Sequence, residues 1–487
     1  MRTIPAFFRA AVAAVPDKPW LFADAGEWTY AEAQHAVERG AAALRELGVR
    51  AGDRVLTTSA NTAEYLFAWL ALMEVGAVQV PVNPASTPAE LAGFVAQVAP
   101  ALVVTDPTLS FEGTRTAMVH DLFQAEADGR GPASVDPDDV AVMIPTSGTT
   151  GRSKLVMQTH RAYVMAGEGF PHWLRLTADD RLAVVLPLFH INAPAYSALG
   201  SVAARAQLAL LPRFSTSGFL DDVRRVGATQ FNAIGAMLEL LMRRPAKDDD
   251  ADNPLRRCYA GPAPTSERHI DIETRFGFEI VGGYGMSETP YGMVWPHGAR
   301  PYGSLGAPRQ HPELGDVNEA RVAADGELEL RNPAVMRGYY GMPEETAAAF
   351  TDDGWLRTGD LVRTDDDGMY WFLGRKKDVI RRRGENLSPL EVEQALQRHP
   401  HVALAAVVAV PSDLSEDDVK AFVVPVAGVA LDVADVHAFA AVALARFKVP
   451  RYFEVVDELP QTPTGRVAKH RLPTERTAEE VDMEERR

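Results

Sequence analysis

The 487-residue chain has almost no cysteine, a deficit of positive charge and no long apolar run, and each lack removes a class of function. Its single cysteine, Cys258, permits no internal disulfide and no cysteine zinc site, and it fits a reducing compartment. That thiol reads as an ordinary buried group. Against 66 acidic residues stand 49 Lys and Arg, for a formal net charge of -17. No basic stripe offsets this, so the chain would repel a nucleic-acid backbone, and any phosphate it binds must be held locally. No apolar stretch reaches the ~20 residues that cross a bilayer, and Arg9 interrupts the short apolar run near the start. The expectation is a cytoplasmic protein, monomer or homodimer, without a membrane or nucleic-acid partner. The zinc-protease pattern HExxH and the nucleophile elbow GxSxG are also absent.

What is present is a chain 46% hydrophobic and long enough for more than one domain. Short apolar runs, VQVPV at 78–82, ALVV at 101–104, LAVVL at 182–186 and LALL at 208–211, alternate with helical patterns. That alternation predicts layered α/β structure. Asn61, followed three residues later by Glu64, reads as the N-cap of a helix. Near the charged run GRKKD at 374–378 the pattern restarts. Ser388-Pro389-Leu390-Glu391 offers an N-cap, a proline at the first helical position and a capping-box glutamate. The strand-like runs at 402–410, 419–426 and 451–456 and a helical stretch near 433–446 complete a small α+β domain. The charged tail after Leu472 is expected to fray, and no carrier domain is expected to follow it.

One segment carries a strong chemical signal. Thr146-Ser147-Gly148-Thr149-Thr150-Gly151-Arg152-Ser153-Lys154 follows the apolar run VAVMIP directly. Hydroxyls and backbone N–H groups around two glycines can turn inward on an anion, and Lys154 adds charge. Alone it could also be a flexible Ser/Thr/Gly turn. It is not a Walker loop, because Ser153 stands where the second glycine would be. Gly283-Tyr284-Gly285 likewise begins like a dinucleotide fingerprint but places Glu288 at its third glycine.

The loop is followed in order by Tyr284-Gly285-Met286-Ser287-Glu288-Thr289, Arg357-Thr358-Gly359-Asp360 and Gly374-Arg375-Lys376-Lys377-Asp378. From about Trp28 to Leu472 this order resembles the superfamily of acyl-CoA synthetases, peptide-synthetase adenylation domains and luciferases. Within it the chain looks most like bacterial fatty-acid or crotonobetaine/carnitine-CoA ligases. The resemblance implies a large N-terminal domain, 1–376, joined by a hinge at Lys377 to a small mobile domain, 377–487. It implies ATP, Mg²⁺ and coenzyme A as cofactors and a small carboxylic acid as substrate. Residues 148–154 would hold the β- and γ-phosphates with Thr146 and Ser147 beside them. Ser287 would meet the α-phosphate and Glu288 would ligate Mg²⁺. Adenine would lie between Tyr284, with Gly285, and the backbone of Gly261, Pro262 and Ala263. Asp360 would accept the ribose hydroxyls with Arg375 assisting. His190 would gate the acid, whose pocket takes in Gly235, Ala236, Gly283, Thr289 and Pro290; without the flanking motifs His190 would be read as a packing residue.

The chain departs from the family in two places. Ser153 replaces the usual proline before Lys154, which removes no phosphate donor. At 460–466, PQTPTGR ends in Arg466 where the family has the lysine that bridges the acid and the α-phosphate, and Lys469 lies three residues on. Either residue could carry that role. The leading function is an acid–CoA ligase acting by adenylation and then thioester formation. The alternatives are an adenylating enzyme with another acceptor (an amine, a carrier protein, or nitrite in N–N bond formation) and a non-catalytic nucleotide-binding relative.

Overall fold

Short, fully apolar strands need cover on both faces, and the computed structural model of the chain supplies it with two sheets and two buried helices. It describes residues 2–106, 109, 111, 113–146, 153–264, 266–382, 385–412, 417–461 and 467–483. The chain packs as two compact units, residues 1–320 with 330–356, and residues 321–329 with 357–487.

In the first unit, Arg54–Thr58, Val78–Pro81, Leu102–Thr105 and Val140–Thr146 run parallel in a six-stranded sheet that ends with the antiparallel Lys154–Thr159. A nine-stranded sheet contains four neighbouring parallel strands, Arg181–Val184, Gln230–Ala233, Arg257–Ala260 and Glu279–Met286. Helix Ala63–Val75 is buried on nearly every side, with only Glu64 reaching outward. Helix His160–Leu174 touches Lys154–Thr159 of one sheet and Thr289–Val294 of the other, so it lies between them. The ring of its Tyr163 meets Trp69 of the first helix with centroids 6.0 Å apart. Cys258 is wholly buried, and burial pushes its thiol up.

The expected helix after Asn61 forms, but its cap is one residue later. Thr62 accepts from the Tyr65 N–H at 3.1 Å. Asn61 instead reaches across to the second sheet, donating to Leu186 O at 3.0 Å and accepting from Leu188 N at 2.9 Å. Its amide thereby fixes the turn that leads to His190.

In the second unit, Val402–Pro411, Asp417–Pro425, Tyr452–Val455 and Val481–Asp482 form a four-stranded sheet against helices Pro389–Gln397 and Val433–Ala443. The first helix starts at Pro389 as its sequence requires, but the capping box is not made, because Glu391 turns to Lys448 at 2.7 Å. The expectation of a frayed tail fails for residues 473–483. Val481–Asp482 pairs with Tyr452–Val455, Asp482 accepts from Arg451 at 2.8 Å, and the fully buried Lys420 ammonium lies 2.8 Å from both Glu454 and Glu480. Charge docks this segment together with Val481 and Met483, which pack against the core of the unit.

His160 begins the inter-sheet helix, is 2% exposed, and accepts from Ile4 N through Nδ1 at 3.4 Å. Burial lowers its imidazole from 6.5 to about 4. Between those values the unfolded chain binds the extra proton, so stability rises with pH there and is lost as pH falls. The full effect is about 3 kcal/mol at about 1.4 kcal/mol per pH unit. Urea midpoints measured from pH 7 to 4 should fall less steeply in His160→Asn than in the parent chain.

Candidate functional site

Ligands of open parallel sheets collect at the carboxyl ends of the strands, and the chain places its unusual residues there. Four of the parallel strands of the nine-stranded sheet lead in turn to His190, to Gly235 and Ala236, to Gly261, Pro262 and Ala263, and to Gly283, Tyr284 and Gly285. Backbones crowd at this edge. A Cβ on Gly261 would stand 3.0 Å from Gly283 O, and one on Gly235 would stand 3.3 Å from Pro262 O. The half-buried Tyr284 turns its hydroxyl toward Met286 Sδ at 3.9 Å. The backbone N–H of His190 closes a turn on Pro187 O at 3.1 Å.

Strands Glu279–Met286 and Thr289–Val294 are joined by only two residues, Ser287 and Glu288, with Met286 paired to Thr289. This hairpin tip is held from outside. Gln158 donates to Ser287 O at 2.6 Å, and Met336 N donates to Glu288 O at 2.8 Å. Thr289 is fully buried and shares a hydrogen bond of 3.3 Å with Asn332.

The expected phosphate loop is the connection between strands Val140–Thr146 and Lys154–Thr159, whose ends Thr146 and Lys154 are paired across the ladder. Ser147, Gly148, Thr149, Thr150 and Gly151 lie outside the described residues. Lys154 places its ammonium 4.5 Å from the centre of the Tyr339 ring. The hydroxyl of that same tyrosine donates to Glu288 Oε1 at 3.0 Å. Burial and the charge of Glu288 push the phenol up, so it remains a donor. Tyr339 thus sets a cation and a carboxylate on its two ends, yet nothing in its Gly-Tyr-Tyr-Gly surroundings matches a chemical motif. Gln158 was equally invisible, since its role comes from a hydrogen bond to a residue distant in the chain.

In the second unit, Asp360 and Arg375 face one another across an antiparallel pair, with Arg375 Nε 2.7 Å from Asp360 Oδ1. Asp360 is 1% exposed. Gly359 before it has φ +72°, a left-handed value that a side chain would strain. Lys376 is anchored to Asp325 and Glu327 at 2.6 and 2.8 Å, whereas Lys377 is exposed in the turn Lys376–Asp378. Arg466 lies outside the described residues. Lys469 is engaged within its own unit, 2.6 Å from the buried Glu393, whose carboxyl burial pushes up.

The fold is shared with known proteins. Residues 8–340 match the AMP-binding enzyme family, and residues 391–466 match the AMP-binding enzyme C-terminal domain. The crotonobetaine/carnitine–CoA ligase of Salmonella enteritidis PT4 is 30% identical over 489 residues, spanning 92% of this chain and 93% of that protein. The crystal structure of ATP-bound MatB from Rhodopseudomonas palustris superposes with a TM-score of 0.88 at 29% identity, over 96% of this chain and 98% of that one. O-succinylbenzoate coenzyme A synthetase from Bacillus subtilis, in complex with AMP, gives 0.85 at 27% identity over the same shares, 96% and 98%. The chain belongs to the AMP-binding enzyme family and is a member of the adenylate-forming superfamily.

Proposed function

We propose that the chain activates a small carboxylic acid with ATP as an acyl-adenylate and then passes the acyl group to coenzyme A. The carrying observation is the bridge from Lys154 through Tyr339 to Glu288 at the tip of the signature hairpin. The similar proteins of Salmonella and Bacillus are a CoA ligase and a coenzyme A synthetase, which supports the acceptor.

Adenylation brings two anions together. The acid's oxygen attacks the α-phosphorus, the bond to the bridging oxygen breaks, and pyrophosphate leaves with its charge. Lys154 faces that leaving charge, and Ser287 meets the α-phosphate. Glu288 offers one carboxylate. Among the described residues no three His, Cys, Asp or Glu gather as a metal site, and a lone carboxylate suits Mg²⁺ that arrives on phosphate oxygens and water. Bound there, Mg²⁺ would neutralise phosphate charge. Tyr284 offers its face to adenine beside the backbone of Gly261, Pro262 and Ala263. Asp360, oriented by Arg375, accepts from the ribose hydroxyls. His190 guards the entry of acid and thiol. In the second step the thiol attacks the acyl carbon and AMP departs, after the small domain has turned about Lys377. The exposure of that residue, next to an anchored Lys376, suits a hinge.

The ion pair of Lys469 with buried Glu393 favours Arg466 as the cation that bridges acid and α-phosphate. Its planar fork can meet both oxygens while staying charged.

Pyrophosphate release across a panel of acids, with and without CoA, tests the proposal. Acid-dependent release together with a CoA thioester is expected; the same release with product only from an amine, a carrier protein or nitrite would reassign the acceptor. Tyr339→Phe keeps the ring under Lys154 but removes the hydroxyl that donates to Glu288. It should lower the adenylation rate by about 10- to 100-fold, the equivalent of about 1.5–3 kcal/mol for a hydrogen bond to a charged group. An unchanged rate would detach Tyr339 from the chemistry. Arg466→Ala should slow single-turnover acyl-adenylate formation by about 10²–10³-fold, with much of it retained in Arg466→Lys. A large loss in Lys469→Ala beside a small one at Arg466 would transfer the role to Lys469.

A further inference from the structure

A glycine in a pocket wall leaves room for a ligand unless a neighbour fills the space. Gly283 and Gly285, on the strand that flanks the acid, leave such room, and two phenols occupy it. A Cβ on Gly285 would lie 2.9 Å from the Tyr196 hydroxyl, and one on Gly283 would run into the ring of Tyr259. Tyr196 sits in the π-helical turn Ala193–Ala198, just beyond His190, and is 4% exposed; Tyr259 is 3% exposed.

Both phenols are locked by Arg309. Its guanidinium donates to the Tyr196 hydroxyl at 2.8 Å, to the Tyr259 hydroxyl, to Pro290 O at 2.6 Å and to Met293 O at 3.0 Å. Tyr196 in turn donates to Pro290 O at 2.5 Å. Arg309 is 1% exposed, packs over Trp173 at 4.4 Å, and forms no ion pair with a carboxylate among the described residues. A buried cation held only by neutral acceptors is costly, and every one of its partners is either a wall strand carbonyl or a phenol beside the glycines. Those contacts fix the phenols in position and leave them little freedom to swing aside.

We propose that Tyr196 and Tyr259, positioned by Arg309, form a rigid closed end of the acid pocket, so that the enzyme accepts short acids and excludes extended acyl chains. Tyr196 sets the depth; Arg309 acts through it. This rests on the reading of the site as the acid pocket of an adenylating enzyme and names its substrate class.

Calorimetry with the non-hydrolysable butanoyl- and octanoyl-sulfamoyladenosines reads pocket depth without turnover. Wild type should bind the butanoyl analogue more tightly by about tenfold or more, since single methylenes already discriminate by about that factor. Tyr196→Ala should shift that ratio toward the octanoyl analogue, and Tyr196→Phe, which keeps the ring, should hold it. Equal affinities in wild type, or an unchanged ratio in Tyr196→Ala with AMP still bound, overturn the closed end. Loss of the preference in Tyr196→Phe assigns the effect to the hydroxyl and overturns the steric account. The functional reading fails separately, by absence of acid-dependent pyrophosphate release from wild type.

Discussion

The ring of Tyr339 faces the ammonium of Lys154 while its hydroxyl faces the carboxylate of Glu288. A cation over a phenol gains about 0.5–2 kcal/mol, and a hydrogen bond to a carboxylate gains about 1.5–3 kcal/mol. The two reinforce one another, because donating to a carboxylate makes the ring richer in electrons. Neither charge is consumed by the other, as it would be in a direct ion pair. On the proposed reading, the lysine then serves a triphosphate as a cation and the glutamate as a metal-binding oxygen. Much of the first unit serves this spacing: Lys154 opens the last strand of one sheet, and Glu288 turns a hairpin of the other. Gln158 and Met336 keep that hairpin in place.

The second unit solves a different problem with the same economy. Asp360 is a buried carboxylate, and Arg375 across the ladder supplies the compensating charge at 2.7 Å. Further along, Lys420 ties Glu454 and Glu480 together and brings a charged segment onto the sheet. Lys469 answers Glu393 in the same manner, which keeps its ammonium within the unit. With Lys469 held in this way, Arg466 gains weight as the proposed bridging cation.

The sequence disclosed the parts whose chemistry is local. Apolar runs at 78–82, 101–104, 182–186 and 208–211 became strands displaced by no more than two residues at either end, since strands covered on both faces are mostly apolar. The hairpin tip Ser287-Glu288 and the pair Asp360 and Arg375 were legible as motifs. Asn61 was misjudged because two candidate caps stood side by side, and only the neighbouring sheet, in need of a polar bridge at Leu186 and Leu188, decides between them. The charged tail was misjudged because composition says nothing of a partner 57 residues away, the separation of Lys420 from Thr477 to which it donates. Tyr339 and Arg309 carry no pattern at all. Their roles arise when segments distant in sequence meet.

Arg309 shows how such a residue can nonetheless be specified. A buried guanidinium with no carboxylate partner among the described residues would be expelled or would unfold its surroundings unless its donors found acceptors at fixed positions. Two of those acceptors, Pro290 O and Met293 O, are on the strand that follows the signature hairpin, and two are phenols on other elements. Sliding the strand by a residue would present an N–H where a carbonyl is required and would break several donors together. The buried charge therefore fixes register: it penalises alternative seatings of the strand more heavily than an apolar side chain of the same volume would. Precision at Thr289 and Pro290, which the proposed reading sets beside the acid, is then inherited from Arg309.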